Sequence, residues 1–387
     1  MTTEKLLFAL LRDAVCGAAL TEEEKAAMTP AQMEPVLHLA KRHDLAHLAG
    51  HTLKKYKLLG SDPISVQLDR QTMQAMYRYM QQQQEYTLVL QTLQRHSIAH
   101  MPLKGSVLRS SYPQPWMRTS CDIDILVQEK DLLAAADILE TQLQYTRGKL
   151  GNHDISLTSP IDTNLELHYD TIDERKESAN CRDVLAGVWA ASAPVEAGSF
   201  CYGMSDPMFY FYHIAHMAKH FEAGGCGIRP FLDLWILNHR IPHCRGDRLA
   251  LLQEGGLETF CTAMEALTEV WFGCREPDEL SVQLSRFLLD GGNFGNTQNF
   301  TVVGRSKTGS TRRYWFQRIF MPYRDLKASY PVLEKHKWLV PVFQVVRWVR
   351  ILRRSGVRRV KAELHATTAA EASAAATSAL WEQLGLK

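Results

Sequence analysis

The feature that most restricts the fold of this chain is a short segment in which two aspartates alternate with isoleucines. Asp122 and Asp124 flank Ile123, and an aliphatic run continues to Val127. Successive side chains of a β-strand point to opposite faces of a sheet, so the alternation predicts a strand over residues 121–127 with both carboxylates on one face. Two carboxylates on an otherwise apolar strand repel each other and lose hydration. A divalent cation would remove both costs.

An Asp-x-Asp triplet alone is weak support for a metal site, because about one is expected by chance in a chain of this length. A solvent-facing strand end with ordinary surface acids is the alternative. Two other segments favour a functional site. Gly105-Ser106 follows the apolar segment 98–103 and opens a predicted helix, where backbone N–H groups suit a phosphate. Glu166 lies between two leucines on a second predicted strand, so its side chain faces away from theirs.

The remaining sequence places this segment between two helical regions. Apolar residues at helical spacing dominate residues 1–96 and 176–365, whereas short apolar and alternating segments dominate residues 97–175. The predicted fold is therefore α/β of the α+β type, with a small mixed-sheet core between an N-terminal and a C-terminal helical region. Residues 366–387 are predicted as an Ala/Thr/Ser-rich linker and a terminal helix. Glycines and asparagines between 291 and 310 predict a long loop, which is a candidate gating segment.

Composition indicates more about the cellular environment of the protein than about its chemical function. The chain of 387 residues has a formal net charge of +2, so its overall charge does not argue for a nucleic-acid partner. Eight cysteines are scattered without a CxxC pair, which predicts reduced thiols and a cytoplasmic location. The first residues lack the pattern of a secretory signal peptide, and the strongest apolar run, 338–346, is too short to span a bilayer.

The order of these motifs resembles that of DNA polymerase β-type nucleotidyltransferases, which carry a Gly-Ser turn, an Asp-hydrophobic-Asp strand and a third carboxylate on a later strand. More closely, the chain resembles the uncharacterised bacterial nucleotidyltransferase family over roughly residues 30–360. The segments that carry this closer resemblance are Leu103-Lys104-Gly105, Tyr112, Arg118, Asp122-Ile123-Asp124-Ile125-Leu126-Val127, Leu165-Glu166-Leu167-His168, His216, Lys219-His220, Leu232-Asp233-Leu234, Tyr330-Pro331 and the basic residues Arg347 to Arg350. The resemblance implies that the mixed sheet is a polymerase-β-like nucleotidyltransferase core.

The resemblance also implies a reaction. A nucleoside monophosphate would pass from an NTP, with ATP favoured, to an unidentified hydroxyl acceptor on a small molecule, a protein or an RNA, and pyrophosphate would leave. Asp122, Asp124 and Glu166 would be the catalytic residues and would hold two Mg²⁺ or Mn²⁺ ions, with Glu166 acting as a base in an alternative version. The residues that would bind the nucleotide are Lys104, Gly105, Ser106, Arg118 and Lys219.

Two other functions stay open. A non-catalytic, antitoxin-like module would keep the fold and bind a nucleotide or a partner protein. The complete set of three carboxylates argues against that module, because a protein without activity has no need to retain them. An enzyme of sugar-1-phosphate or polysaccharide chemistry would share the reaction type but would need an acceptor pocket for a sugar.

Three histidines, His213, His216 and His220, recur on one face of a predicted helix. Ligands spaced along one straight helix converge poorly on a single ion, so a metal site is disfavoured there. We expect His216 and His220 to line the substrate cleft, and a purely structural face is the alternative.

The sequence also assigns roles to two further side chains, His168 and Asp233. His168 shares a strand face with Glu166, so it is a third candidate for the substrate cleft, and a half-buried structural histidine is the alternative. Asp233 is expected to pair with Lys219 or His220 as an architectural acid.

A basic segment lies near the end of the chain. Seven basic residues and no acid lie between Arg347 and Lys361, with apolar residues among them. Such a helix could contact an anionic membrane or a nucleic acid. A solvated helix that packs against the catalytic region is equally consistent with the pattern, so membrane or nucleic-acid contact is not favoured.

Overall fold

The computed structural model describes residues 1–151, 153–171, 178–241, 245–292, 316, 319–353 and 377–386. The N-terminal part is helical, as predicted. Its helices are Thr3–Leu11 (α1), Glu22–Ala27 (α2), Pro30–Arg42 (α3), Ala46–Lys55 (α4) and Pro63–Arg95 (α5). A π-helical turn, Arg12–Cys16, extends α1. Helix α2 begins with a capping box, in which the Thr21 and Glu24 side chains each accept a backbone N–H from the other residue.

The predicted mixed sheet is confirmed. Its five strands are His100–Pro102 (β1), Asp122–Val127 (β2), Thr146–Leu150 (β3), Asp154–Thr158 (β4) and Asn164–His168 (β5), in the order β1-β2-β5-β4-β3. The one-turn helix Gly105–Leu108 (α6) lies between β1 and β2, and helix Leu132–Leu143 (α7) follows β2. Strands β2 and β5 are parallel because α7 and the β3–β4 hairpin intervene, whereas the other neighbouring pairs are antiparallel.

The two faces of the sheet have different surroundings. Ile123 and Ile125 of β2 and Leu165 of β5 point to one face, where they are buried with residues of α5 and α7. Leu126 of β2 belongs instead to the larger core built by the helices. Because side chains alternate along β2, Asp122 and Asp124 point to the same face as Leu126, toward the larger core. They point away from the smaller core that the sheet shares with α5 and α7.

The chain after the sheet is mainly helical. Its elements are Ala179–Ala186 (α8), Ser192–Pro194 (β6), Tyr202–Met204 (β7), Asp206–Glu222 (α9), Arg229–His239 (α10), Arg245–Glu254 (α11), Glu258–Phe272 (α12), Glu279–Gly291 (α13), Tyr323–Ser329 (α14) and Val340–Arg353 (α15). The β6–β7 hairpin adjoins β1, since the His100 N–H donates to the Phe200 carbonyl at 2.9 Å. This hairpin and α8 were not among the predicted elements, because neither has a strong periodic pattern.

One apolar core joins the N-terminal and C-terminal helices. Phe8 of α1 stacks on Trp271 of α12, with ring centroids 4.9 Å apart. Residues 377–383 are helical and bury Trp381 in the same core, beside Phe221 of α9 and Phe287 of α13. The terminal segment thus packs on two C-terminal helices. The predicted loop at 293–310 and linker at 366–376 lie outside the described residues.

The described residues bear on two expectations, one about membrane-spanning helices and one about the state of the cysteines. No helix among them combines the length and the apolar character needed to cross a bilayer. Their seven cysteines are all free thiols, as the scattered spacing predicted. Helix α9 begins after the N-cap residue Ser205 with a proline in its first turn, although the Ser205 side chain makes no capping hydrogen bond.

Candidate active site

Strand register brings the predicted carboxylates together. In the parallel pair β2–β5, Asp124 lies directly opposite Glu166, and Asp122 lies one same-face position earlier on its strand. His168 lies one same-face position after Glu166. Residues opposite each other in a sheet point to the same face, so these four polar side chains converge on one patch.

His168 contacts two of the carboxylates. Its Nε2 lies 2.9 Å from Oδ1 of Asp124 and 3.4 Å from Oε2 of Glu166. The ring is almost fully buried and stacks on His153, with centroids 5.6 Å apart. His168 therefore contacts a carboxylate of its own strand and one of the neighbouring strand.

Lys104 reaches the same carboxylate from the turn before α6. Its Nζ lies 2.6 Å from Oδ1 of Asp124. Its backbone has φ 48° and ψ −123°, a left-handed conformation that favours glycine and costs a larger residue about 1–3 kcal/mol. Such strain is typical of residues whose side chain is held in place for function.

The turn that holds Lys104 is tight. The Ser106 N–H donates to the Leu103 carbonyl at 3.2 Å, so it is already bonded within the turn. Gly105 is the first residue of α6, and its N–H is one that the helix itself does not bond. A Cβ atom at Gly105 would lie 3.1 Å from Nη1 of Arg118, so a glycine permits this close approach. Nucleotide binding by Gly105 and Ser106 remains a prediction.

Charge is unevenly distributed in the cluster. Burial raises the pKa of Asp122 to about 6, and the charges of Asp124 and Glu166 add to the rise. Burial opposes ionisation of Asp124, yet Lys104 and His168 hold its pKa well below the ordinary value. The hydrogen bond from His168 lowers the pKa of Glu166. Three carboxylates thus face two basic side chains, which leaves a site that favours a further cation.

The donor set fits a divalent cation. One ligand atom each from Asp124, Glu166 and His168 lie within 4.8 Å of one another. Two carboxylate oxygens and an imidazole nitrogen suit ions such as Mn²⁺, and the carboxylates suit Mg²⁺. His168 was predicted as a cleft residue and not as a ligand, while the predicted ligand Asp122 is not part of this group. The role of Asp122 as a ligand remains a prediction.

A buried ion pair lies next to the turn that holds Lys104 and Gly105. Nε of Arg118 lies 2.7 Å from Oδ1 of Asp233, and Nη2 lies 2.8 Å from Oδ2. The hydroxyl of Tyr112 donates to Oδ1 of Asp233 at 2.6 Å. The expected pairing of Asp233 with Lys219 or His220 is therefore wrong. Sequence reasoning missed this contact, although an acid between two leucines in an apolar helix was a signal for a buried partner.

The Arg118 guanidinium is already engaged by protein groups. Besides Asp233, it donates through Nη1 to the Thr119 carbonyl at 2.5 Å. Its contact with the turn at Gly105 places it beside the predicted phosphate site. The structure thus shows Arg118 as a support of the turn, and direct contact with a triphosphate stays a prediction.

The histidines of α9 divide into two groups. Nε2 of His216 lies 3.0 Å from Nε2 of His220, whereas Nε2 of His213 is 3.0 Å from the Pro230 carbonyl. Burial holds the pKa of His216 well below its ordinary value, and the positive charge of Lys104 contributes. The His216–His220 pair therefore lies near the turn of the carboxylate cluster, and its role as part of a substrate cleft stays a prediction.

Lys219 belongs to a neighbouring pocket. That pocket is lined by Lys219 and Glu222 of α9, Ser178 before α8, and Gly385 in the terminal segment. The positive charge of Lys219 nevertheless contributes to the low pKa of His216. Nucleotide binding by Lys219 is likewise a prediction.

The fold and the cluster define an α+β protein whose sheet presents carboxylates and a histidine, with a lysine from an adjacent turn, at a site suited to a cation and a phosphate. The sequence profile of a family described as uncharacterised nucleotidyltransferase matches residues 29–273. The chain belongs to this family, and the family supports a nucleotidyl-transfer function. The expected resemblance to this family is confirmed over that stretch, and residues 274–360 lie outside the match. The placement among polymerase-β-type enzymes stays a prediction. No curated protein matches the chain, and no solved structure matches it.

Proposed function

We propose that the protein is a polymerase-β-type enzyme that transfers a nucleoside monophosphate from an NTP, with ATP favoured, to a hydroxyl acceptor. One observation carries the proposal: Asp124 and Glu166 lie opposite each other on parallel strands, with Lys104 and His168 both bound to Asp124. A carboxylate of a solvated surface pair would not be buried between two basic side chains, as Asp124 is. We further propose a cytoplasmic location, in keeping with the free thiols.

The exposure of the carboxylates separates their roles. The Asp124 side chain is 6% exposed, whereas that of Glu166 is 34% exposed. Asp124 is therefore a fixed anchor, while Glu166 can meet an incoming hydroxyl. In the proposed reaction the acceptor oxygen bonds to the α-phosphorus, and the bond from that phosphorus to the bridging oxygen of pyrophosphate breaks. The acceptor proton passes to Glu166 in the version in which this carboxylate is the base, and to water in the version in which it holds the cation. Pyrophosphate leaves in both.

A divalent cation held by Asp124, Glu166 and His168, with Asp122 beside them, would supply positive charge for the phosphates and lower the pKa of the acceptor hydroxyl. Lys104 adds a fixed positive charge from its strained turn, and the nearby Gly105 N–H adds a donor. These groups act on the phosphates of the nucleotide. We assign the His216–His220 pair and Lys219 to the surrounding substrate cleft.

The test is incubation with Mg²⁺ or Mn²⁺ and each of the four α-labelled NTPs, while pyrophosphate release and label transfer are followed. The Asp124→Asn variant should lose turnover by about a thousandfold or more, because it removes the negative charge that attracts Lys104, His168 and the proposed cation. Glu129→Gln is the matched control, since it removes an exposed carboxylate just beyond β2 and should retain full activity.

Binding measurements separate the enzyme from the non-catalytic alternative. Calorimetry with a non-hydrolysable NTP and Mn²⁺ should show binding that Asp124→Asn weakens. Tight NTP binding without turnover, for every acceptor class supplied, would favour the antitoxin-like module. Absence of NTP binding with metal present would overturn the enzyme and would leave the module that binds a partner protein.

A further inference from the structure

Helix α15 has an inverted distribution of polar and apolar residues. Its exposed side carries Val342, Val345, Val346 and Val349, which are 43–51% exposed. These residues follow the spacing i, i+3, i+4, i+7 and therefore form one stripe along the helix. A surface helix ordinarily turns such a stripe toward the core.

Polar contacts fix the opposite side of α15. The buried Gln344 amide donates to the Met321 carbonyl at 2.6 Å and accepts the Met321 N–H at 3.3 Å. The Ile319 carbonyl accepts from Nη1 of Arg347 at 3.1 Å and from Nε1 of Trp348 at 2.8 Å. These contacts set the rotation of α15 about its axis, so the valine stripe cannot turn inward without breaking them.

The stripe has an exposed aromatic neighbour. Trp338, directly before α15 and four residues before Val342, is 74% exposed. The four valines and Trp338 form an exposed apolar patch, and such a patch marks an interaction surface.

The charge around the patch identifies its partner. Four basic residues and no acid lie between Lys335 and Arg350. Lys335, Lys337 and Arg350 are exposed beside the patch. A second copy of the chain would bring these like charges together, which disfavours self-association. A nucleic acid would match the charges but not the valines and the tryptophan. An anionic bilayer accepts both, because apolar side chains enter the acyl region while cations meet the headgroups.

We propose that α15 and the turn before it form a peripheral membrane-binding surface for anionic lipids. In this arrangement the helix lies in the plane of the interface, with the valine stripe and Trp338 in the apolar boundary and Lys337 and Arg350 at the headgroups. The proposal is independent of the nucleotidyl-transfer function.

The experiment is co-sedimentation of the full chain with phosphatidylcholine vesicles, with or without about one third phosphatidylglycerol, at low and at physiological salt. The protein should bind the anionic vesicles and not the neutral ones. Val345→Asp/Val346→Asp should weaken binding by about tenfold or more, because it places charges in the stripe. Lys337→Gln/Arg350→Gln should weaken binding by a similar factor and reduce its dependence on salt.

Val66→Asp/Val282→Asp is the matched control, because both valines are exposed on other helices, at 58% and 44%. It should bind vesicles as the parent does, and circular dichroism should show that all variants are folded. The proposal is overturned if the parent ignores anionic vesicles, or if the control loses as much binding as the stripe variant. It is also overturned if the stripe variant instead abolishes a dimer or the binding of RNA while vesicle binding is unchanged.

Discussion

Loss of one partner from the buried ion pair between Arg118 and Asp233 should cost far more stability than loss of one partner from a surface pair. The two side chains are only 11% and 2% exposed. Asp233→Ala would leave the guanidinium buried without its counter-charge, and breaking one partner of such a pair costs about 3–5 kcal/mol. The Tyr112 hydroxyl would also lose its charged acceptor, which places the expected loss in the upper part of that range.

Removal of all the polar partners together should be far less costly. The triple variant Tyr112→Phe/Arg118→Met/Asp233→Leu leaves no buried charge and no orphaned hydroxyl in this contact. Replacement of a buried pair by apolar residues of similar volume is often nearly neutral. We therefore expect the triple variant to recover most of the stability lost by Asp233→Ala, although it removes more hydrogen bonds.

The assay is urea unfolding followed by circular dichroism, with the slope of the transition checked for each variant. The exposed pair Lys54–Asp69, with side chains 58% and 41% exposed, supplies the control. Asp69→Ala should cost less than about 1 kcal/mol. If Asp233→Ala costs no more than Asp69→Ala, or if the triple variant is as unstable as the single one, the burial argument is refuted.

Three other predictions concern the buried histidines and the cluster. Burial lowers the pKa of His43 and that of His47 from 6.5 to about 4, so the unfolded chain binds more protons between those values. The free energy of unfolding should therefore fall as pH drops from 6.5 to 4, by up to about 3 kcal/mol per histidine, and His47→Gln should flatten that dependence in urea titrations. Lys104→Met should weaken NTP binding about tenfold in calorimetry while Mn²⁺ binding, followed by electron paramagnetic resonance, is maintained or tightened, because a cation leaves Asp124. Loss of Mn²⁺ binding in this variant would contradict it. His168→Ala should weaken Mn²⁺ binding about 10–100-fold, and an unchanged affinity would exclude the histidine as a ligand.

Local patterns in the sequence were sufficient to predict the sheet and most helices. The alternation around Ile123 depends only on the twofold repeat of a strand, and the apolar spacing before residue 96 depends only on the helical repeat. The same alternation placed Asp122 and Asp124 on one face. Segments without a repeat, such as the β6–β7 hairpin, were not predicted, because their conformation depends on the edge of β1 against which they pack.

Tertiary structure alone decided which distant residues meet. The register between β2 and β5 sets Asp124 opposite Glu166, and no local pattern specifies a register between strands about 40 residues apart. The same holds for Asp233, whose partner Arg118 lies 115 residues away in sequence. The outward direction of the α15 stripe is a further case. Its spacing predicted a helix with an apolar face, but the contacts of Gln344 on the other side determine that this face meets the solvent.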